Sequence, residues 1–347
     1  MRSHLLRVAT VALGAGGLLL ACTVNSTTVE TPGNDGGTTT NDDASTTNDQ
    51  DDGSADVSTT PVDSGMGTTD ASPEAATPEA FVRLAHWSPD APAVDVCFTT
   101  QGGSFSAETP QLATLVATSD GGVAVDGGDG GAVGLLYRQV TAYLIIAPGT
   151  YSVRLVAAGS ADCNTSIADL ASVTLSDATY TTVAAVGEAT PVQSDQALKL
   201  VSFADDVTAP SGQIAIRFIN ASPEFLSVDL GTGSLANGGT PFAPLFTGVA
   251  FGTAGSAAGT DAGTVDANGY LASNPFAGAM LSAHVTSSAA DTVTAASVTV
   301  SAPSAATLAI IGGVTGNPMA PPQLLQCADV DDSTSTNLLA QCSVISP

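Results

Sequence analysis

The chain has 347 residues, with 33 acidic and 7 basic side chains and a formal net charge of −26. That length accommodates two domains of ordinary size. Once the leader described below is set aside, the only cations are Arg83, Arg138, Arg154, Lys199 and Arg217, too few and too scattered for the basic patch that displaces phosphate counterions, so no nucleic acid is expected as a partner.

The first element is an export signal. Arg2 and Arg7 stand before an apolar run from Val8 to Ala21 that ends Leu19-Leu20-Ala21-Cys22. A basic start, a short apolar stretch and a small residue at the cut site make a secretory leader. The run is too short for a spanning helix, which needs about 20 residues. Leu19-Leu20-Ala21-Cys22 resembles the lipobox of bacterial lipoproteins. The resemblance implies cleavage after residue 21 and acylation of Cys22, which becomes the lipid anchor to the membrane. More than one acyl chain is needed for stable anchoring. Thr23 in place of Asp implies, by similarity to enterobacterial sorting, the outer membrane. The expected location is the cell envelope.

Residues 22–78 form the second segment. They are rich in Thr, Asp, Ser, Gly and Asn, and contain no Lys or Arg. Stretches such as Thr38–Asp43 and Asn48–Asp52 have nothing apolar to bury, so the segment cannot offset the entropy of ordering, and its like charges extend it. A disordered acidic stalk is expected. The Asp-rich run near Asp49–Asp56 lacks the ligand spacing and closing Glu of an EF-hand.

From Phe81 the composition turns to Val, Leu, Ile, Ala, Thr and Gly in short alternating runs broken by Gly, Pro, Asp and Ser, the pattern of an all-β sandwich. This region repeats. Val82-Arg83-Leu84-Ala85-His86-Trp87-Ser88-Pro89 with Val94-Asp95-Val96 matches, without a gap, Ile216-Arg217-Phe218-Ile219-Asn220-Ala221-Ser222-Pro223 with Val228-Asp229-Leu230. Ala171–Leu175 matches Ala296–Val300, and each is followed by an apolar strand, Thr182–Val186 or Thr307–Ile311, ending at Gly187 or Gly312. The reading is two tandem antiparallel, immunoglobulin-like sandwiches, 79–190 and 191–315, with a tail at 316–347. Folding back about Pro89 sets Leu84 against Val94 and Arg83 against Asp95; the second copy sets Arg217 against Asp229. A hairpin with a cross-strand charge pair, adding about 0.2–1 kcal/mol, is therefore expected in each copy.

Val82–Val96, V-R-L-A-H-W-S-P-D-A-P-A-V-D-V, resembles the opening motif of the domain-of-unknown-function 4397 family, and Ala147-Pro148-Gly149-Thr150-Tyr151-Ser152-Val153 is similar to its later Pro-Gly-Thr-Tyr strand start. The resemblance spans roughly 80–190 and 212–315. The second copy departs from it at Asn220 and Glu224-Phe225. The resemblance implies an exported β-sandwich and brings no activity and no functional residues.

Besides Cys22 there are four cysteines, Cys97, Cys163, Cys327 and Cys342, an even number suited to disulfides in an exported chain. Of three possible pairings, Cys97–Cys163 and Cys327–Cys342 keep each bridge local. No Cys-x-x-Cys occurs and histidine is scarce, so no metal or other cofactor is expected. His86 lies near Ser88, Asp90 and Asp95, but neighbours on one turn rarely assemble a triad, and no Gly-x-Ser-x-Gly elbow is present. His86 with Trp87 is the candidate binding platform, capping of the core being the alternative for Trp87. Asp120–Gly131 and Gly252–Gly269 read as surface insertions, the first distantly like calcium-binding glycine–aspartate repeats. The leading expectation is a non-enzymatic envelope module presenting two sandwiches on a tether to a protein or glycan ligand. A carbohydrate-processing hydrolase and a calcium-dependent adhesin are the rivals.

Overall fold

A computed structural model describes residues 77–112, 134–236, 240–255, 263–313, 320–335 and 337–346, all of them in the unit Ala71–Pro347. The leader, Cys22, nearly all of the stalk and Asp120–Gly131 lie outside the described residues.

The fold is all-β. The first half contains β1 (Ala80–His86), β2 (Val94–Thr100), β3 (Leu144–Ile146), β4 (Gly149–Ala157), β5 (Ala168–Leu175), β6 (Tyr180–Val186) and β7 (Lys199–Asp205). They form one sheet of order β3-β1-β6-β7 and a second of order β2-β4-β5. The second half contains β8 (Ile214–Asn220), β9 (Ser227–Thr232), β10 (Ala243–Ala250), β11 (Thr253–Ala254), β12 (Tyr270–Ser273), β13 (Phe276–Val285), β14 (Val293–Val300), β15 (Ser304–Ile311), β16 (Gln323–Asp329) and β17 (Cys342–Val344). Its sheets run β11-β8-β15-β16-β17, with β12 also on β8, and β10-β9-β13-β14. The two halves share a plan: β1, β6 and β7 correspond to β8, β15 and β16, and β2, β4 and β5 to β9, β13 and β14.

Each half buries an apolar core between its two sheets. In the first, Val82 and Leu84 of β1 and Val183 of β6 meet Val94, Val96, Val153 and Leu155 from the opposite sheet. In the second, Ile216, Phe218 and Leu308 meet Val228, Leu230 and Leu281. A third core is shared by the halves: Ala85, Trp87, Ala184 and Val186 pack with Ile219, Ala309, Ile311 and Leu325. The sheets carrying β1 and β8 therefore lie face to face, and β6 and β15 are covered on both sides. That explains why Thr182–Val186 and Thr307–Ile311 read as continuous apolar runs rather than as alternation.

Two features depart from the sequence expectation. First, no β1–β2 hairpin forms. β1 pairs with β3 and β6, whereas β2 pairs with β4 in the other sheet; β8 and β9 are separated in the same way. The turn at Ser88-Pro89 carries the chain across the end of the sandwich. Alternation is satisfied equally by this arch, since Leu84 and Val94 meet across the core instead of side by side. Arg83 and Asp95 then point away from that core on opposite outer faces. Second, the β1–β6 and β8–β15 pairs are parallel, with Arg83 beside Thr182 and Arg217 beside Thr307. The first sheet also continues through β7 to Asp205, past residue 190, and β16 and β17 belong to the second half's sheet rather than to a separate tail.

Candidate functional site

The repeated arginines lie where the two halves meet. Because Val82 and Leu84 face inward, Arg83 faces the second half, and Arg217 by the same alternation faces the first. Arg83 is 2 % exposed and Arg217 is fully buried. Their carboxylate partners come from the opposite half. The Nη2 of Arg83 donates to Oδ1 of Asp329 on β16, and the Nη2 of Arg217 donates to Oδ1 of Asp205 on β7 at 2.5 Å. The remaining contacts repeat too. Arg83 Nη1 donates to the Ala328 carbonyl at 3.3 Å and Arg217 Nη1 to the Ala204 carbonyl at 2.7 Å. Arg83 Nε donates to Thr182 Oγ1 at 2.8 Å and Arg217 Nε to Thr307 Oγ1 at 3.2 Å.

The second oxygen of each carboxylate is held by its own half. Thr182 and Tyr143 donate to Asp205 Oδ2 at 2.6 and 2.8 Å. Thr307 and Tyr270 donate to Asp329 Oδ2, both at 2.7 Å. Each guanidinium also sits over the tyrosine of its own half, Arg83 at 4.9 Å from the Tyr143 ring centroid and Arg217 at 4.8 Å from that of Tyr270. The result is a reciprocal seam of two cations and two anions with every carboxylate oxygen engaged. A buried ion pair withstands desolvation only when its remaining hydrogen-bonding capacity is met in this way.

The electrostatics agree with that reading. Burial pulls the Arg83 guanidinium down, but Asp329 and Asp205 outweigh it and hold it well above its ordinary value. Arg217 is raised likewise against burial, by Tyr270 and Asp205. Burial pushes Asp205 up, and Arg217 and Arg83 more than reverse this, leaving it below the usual carboxylate range. Burial is the main reason that both tyrosines are raised and stay protonated.

The other residues singled out in the sequence lie elsewhere. Asp95 accepts from the Val96 and Leu112 amides at 2.6 and 2.8 Å, so it fixes the chain that follows the short helical turn Phe105–Ala107 rather than pairing with Arg83. Asp229 accepts from the Gly248 amide and the Thr286 hydroxyl, each at 2.7 Å, and approaches His284 at 3.4 Å. It does not meet Arg217. His86 is fully buried, and its Nε2 donates to the Pro92 carbonyl at 2.9 Å. Burial holds the imidazole below its ordinary value, with Pro92 opposing, so it is neutral at pH 7. Asn220 does the same work in the second half, donating to the Phe225 carbonyl at 2.8 Å. Trp87 is 1 % exposed and belongs to the core shared by the halves. His86 and Trp87 thus form no open platform: both are covered in the folded chain. Cys97 and Cys163 stand at disulfide distance, as do Cys327 and Cys342.

An open cleft lies beside the seam. It has a volume of about 470 Å³ and is lined by Asp206, Thr208, Pro210, Asp266 and Tyr270, among others. Asn268 links the carboxylates: its backbone amide donates to Asp266 at 2.9 Å and its side chain to Asp206 at 2.7 Å. Asp206 is pushed up by burial and then by Asp266. Among the described residues no group of three or more His, Cys, Asp or Glu is placed to hold a metal ion.

The family model of a domain of unknown function (DUF4397) matches residues 111–231. The matched stretch includes Ala147–Val153 and the second copy of the arginine motif, Ile216–Leu230. It crosses the connection between the halves and does not include Val82–Val96. No curated protein matches the chain.

Proposed function

We propose that this chain, which contains a domain of unknown function and an all-β fold, is a non-enzymatic envelope lipoprotein whose two sandwich domains make one stiff head. The observation that supports this best is where the charged and aromatic side chains lie. Arg83, Arg217, Asp205, Asp329, Tyr143 and Tyr270 are sealed in a mutually satisfied seam, where they join the halves rather than meet a substrate. Of the three other cations among the described residues, Arg154 pairs with Asp169, and Lys199 and Arg138 lie over the rings of Phe251 and Tyr137. The head offers an acidic surface, and the function proposed for it is binding a protein or glycan, or mechanical support of the envelope. Export and acylation at Cys22, attachment to the outer membrane and the extended stalk belong to this proposal; they rest on the Leu19-Leu20-Ala21-Cys22 signature and the composition of residues 22–78. The cysteine pairs at disulfide distance suit an oxidising compartment.

Metabolic labelling with a palmitate analogue tests the anchor. Label is expected on the wild type and not on Cys22→Ser; equal label on both would contradict the proposal. A second reading is favoured by one observation, the Asp206–Asp266 cleft: two carboxyls close enough to share a proton, one of them raised, are a means of general acid–base hydrolysis. Turnover of chromogenic peptide or glycoside substrates by the purified chain, lost in Asp206→Asn, would replace the binding function with this one.

A further inference from the structure

The two seam carboxylates are secured differently. Asp205 ends β7 and is followed at once by the connection to β8. Asp329 ends β16 and enters a loop that returns to its own sheet through β17, over the pairs Leu325–Val344, Gln326–Ser343 and Cys327–Cys342 and the flanking Ala328–Gln341 and Leu324–Ile345 backbone hydrogen bonds. Most of what that loop touches is in the other half. At its base, the Ala328 carbonyl and Asp329 of β16 receive Arg83. Asp332 accepts from the Tyr143 amide at 2.9 Å. The Leu338 carbonyl accepts from the Ala142 amide at 2.8 Å, and the Ala340 amide donates to the Val140 carbonyl at 2.9 Å. Leu339 packs against the first half's core. The disulfide therefore joins the two ends of a strap whose middle lies on the first half.

We propose that the Cys327–Cys342 disulfide is a latch: closed, it holds this strap across the first half, and its reduction frees the strap and loosens the seam from the Asp329 side. Cys342 is partly accessible while Cys327 lies within the shared core, so attack by a thiol begins at Cys342. A dithiol donor breaks the S–S bond through a mixed disulfide, leaves two protein thiols, and is itself oxidised to its disulfide. The opened strap would stay tethered to its own sheet by the short β17 pairing and the hydrogen bonds that flank it. The edge at Val140–Ala142, which the strap now covers, would then be free. Cys97–Cys163 has no such role, because it packs with Val156 in a separate small cluster.

Hydrogen exchange on the full chain tests this. In Cys327→Ser/Cys342→Ser, exchange of the Ala142 and Tyr143 amides should rise about ten-fold or more, as expected for a segment that opens locally, while Cys97→Ser/Cys163→Ser leaves those amides as in the wild type. Unchanged exchange in the first variant, or an equal rise in both, would overturn the proposal. Should the first variant fail to fold, the same amides read in Cys97→Ser/Cys163→Ser before and after dithiol treatment decide it: faster exchange supports the latch and unchanged exchange removes it.

Discussion

Arg83 and Arg217 are each complementary to one carboxylate that water cannot replace. Removing one member of such a pair leaves a buried charge and costs about 3–5 kcal/mol, whereas replacing both by apolar groups costs much less. Arg83→Met should therefore destabilise the protein by about that amount in urea titration, and Arg83→Met/Asp329→Leu by clearly less than the sum of the single changes. Strict additivity would show that the pair is not coupled. Asp206 makes a pH prediction of opposite sign to Asp205. Asp206 is raised on folding, so its favourable contribution is present below the ordinary carboxyl value and is lost as pH rises through its elevated folded value. Asp205 is lowered, so its contribution is present above the ordinary value and is lost as pH falls through its depressed one. Relative to Asp206→Asn, the wild type should lose melting temperature as pH rises from about 4 to about 7; parallel profiles would contradict the assignment. The arginine repeat is legible in the sequence, but the acid nearest to each arginine along the chain is not its partner. The signal that identifies the partners is a further gapless repeat, Leu200-Val201-Ser202-Phe203-Ala204-Asp205 against Leu324-Leu325-Gln326-Cys327-Ala328-Asp329. It keeps the leucine, the alanine whose carbonyl meets the guanidinium, and the aspartate.

Strands are recognisable from alternation, but alternation is blind to which strand lies alongside. Val82, Leu84, Val94 and Val96 point into one core whether β1 and β2 form a hairpin or face each other from two sheets, and only the second arrangement sends Arg83 outward to a second layer. The doubly apolar runs in β6 and β15 carry the missing information, since a strand covered on one face does not need apolar residues on both. The glycines that end these strands are required for two reasons. Gly187 and Gly312 have φ of +95° and +76°, and an added Cβ would meet the Ala197 and Pro321 carbonyl oxygens at 2.5 and 2.3 Å. Gly102 has φ of +79° but open space around it. Gly102→Ala should cost about 1 kcal/mol from backbone strain alone. Gly187→Ala and Gly312→Ala should cost distinctly more, as measured by shifts in the denaturation midpoint. Equal costs would mean that the close approach at the strand ends is not limiting.

At the scale of the molecule, strong net negative charge works against compaction. Arg83 and Arg217, taken from a small stock of cations, are nevertheless placed where they join the halves rather than where they would relieve the surface. Composition alone implies an acidic, β-rich chain, and the repeat implies two copies that share a plan. Neither states which copy supplies each partner, because the spacing along the chain differs between the two pairs: Arg83 and Asp329 are separated by 246 positions and Arg217 and Asp205 by only 12. If the seam makes the halves one cooperative unit, heat should unfold them together. Differential scanning calorimetry of the wild type and of Arg217→Met measures this most directly. A single wild-type transition with matching calorimetric and van't Hoff enthalpies, split or broadened in the variant, is the result predicted here. Two independent wild-type transitions, with only one of them moved in Arg217→Met, would contradict the seam as the bond between the halves.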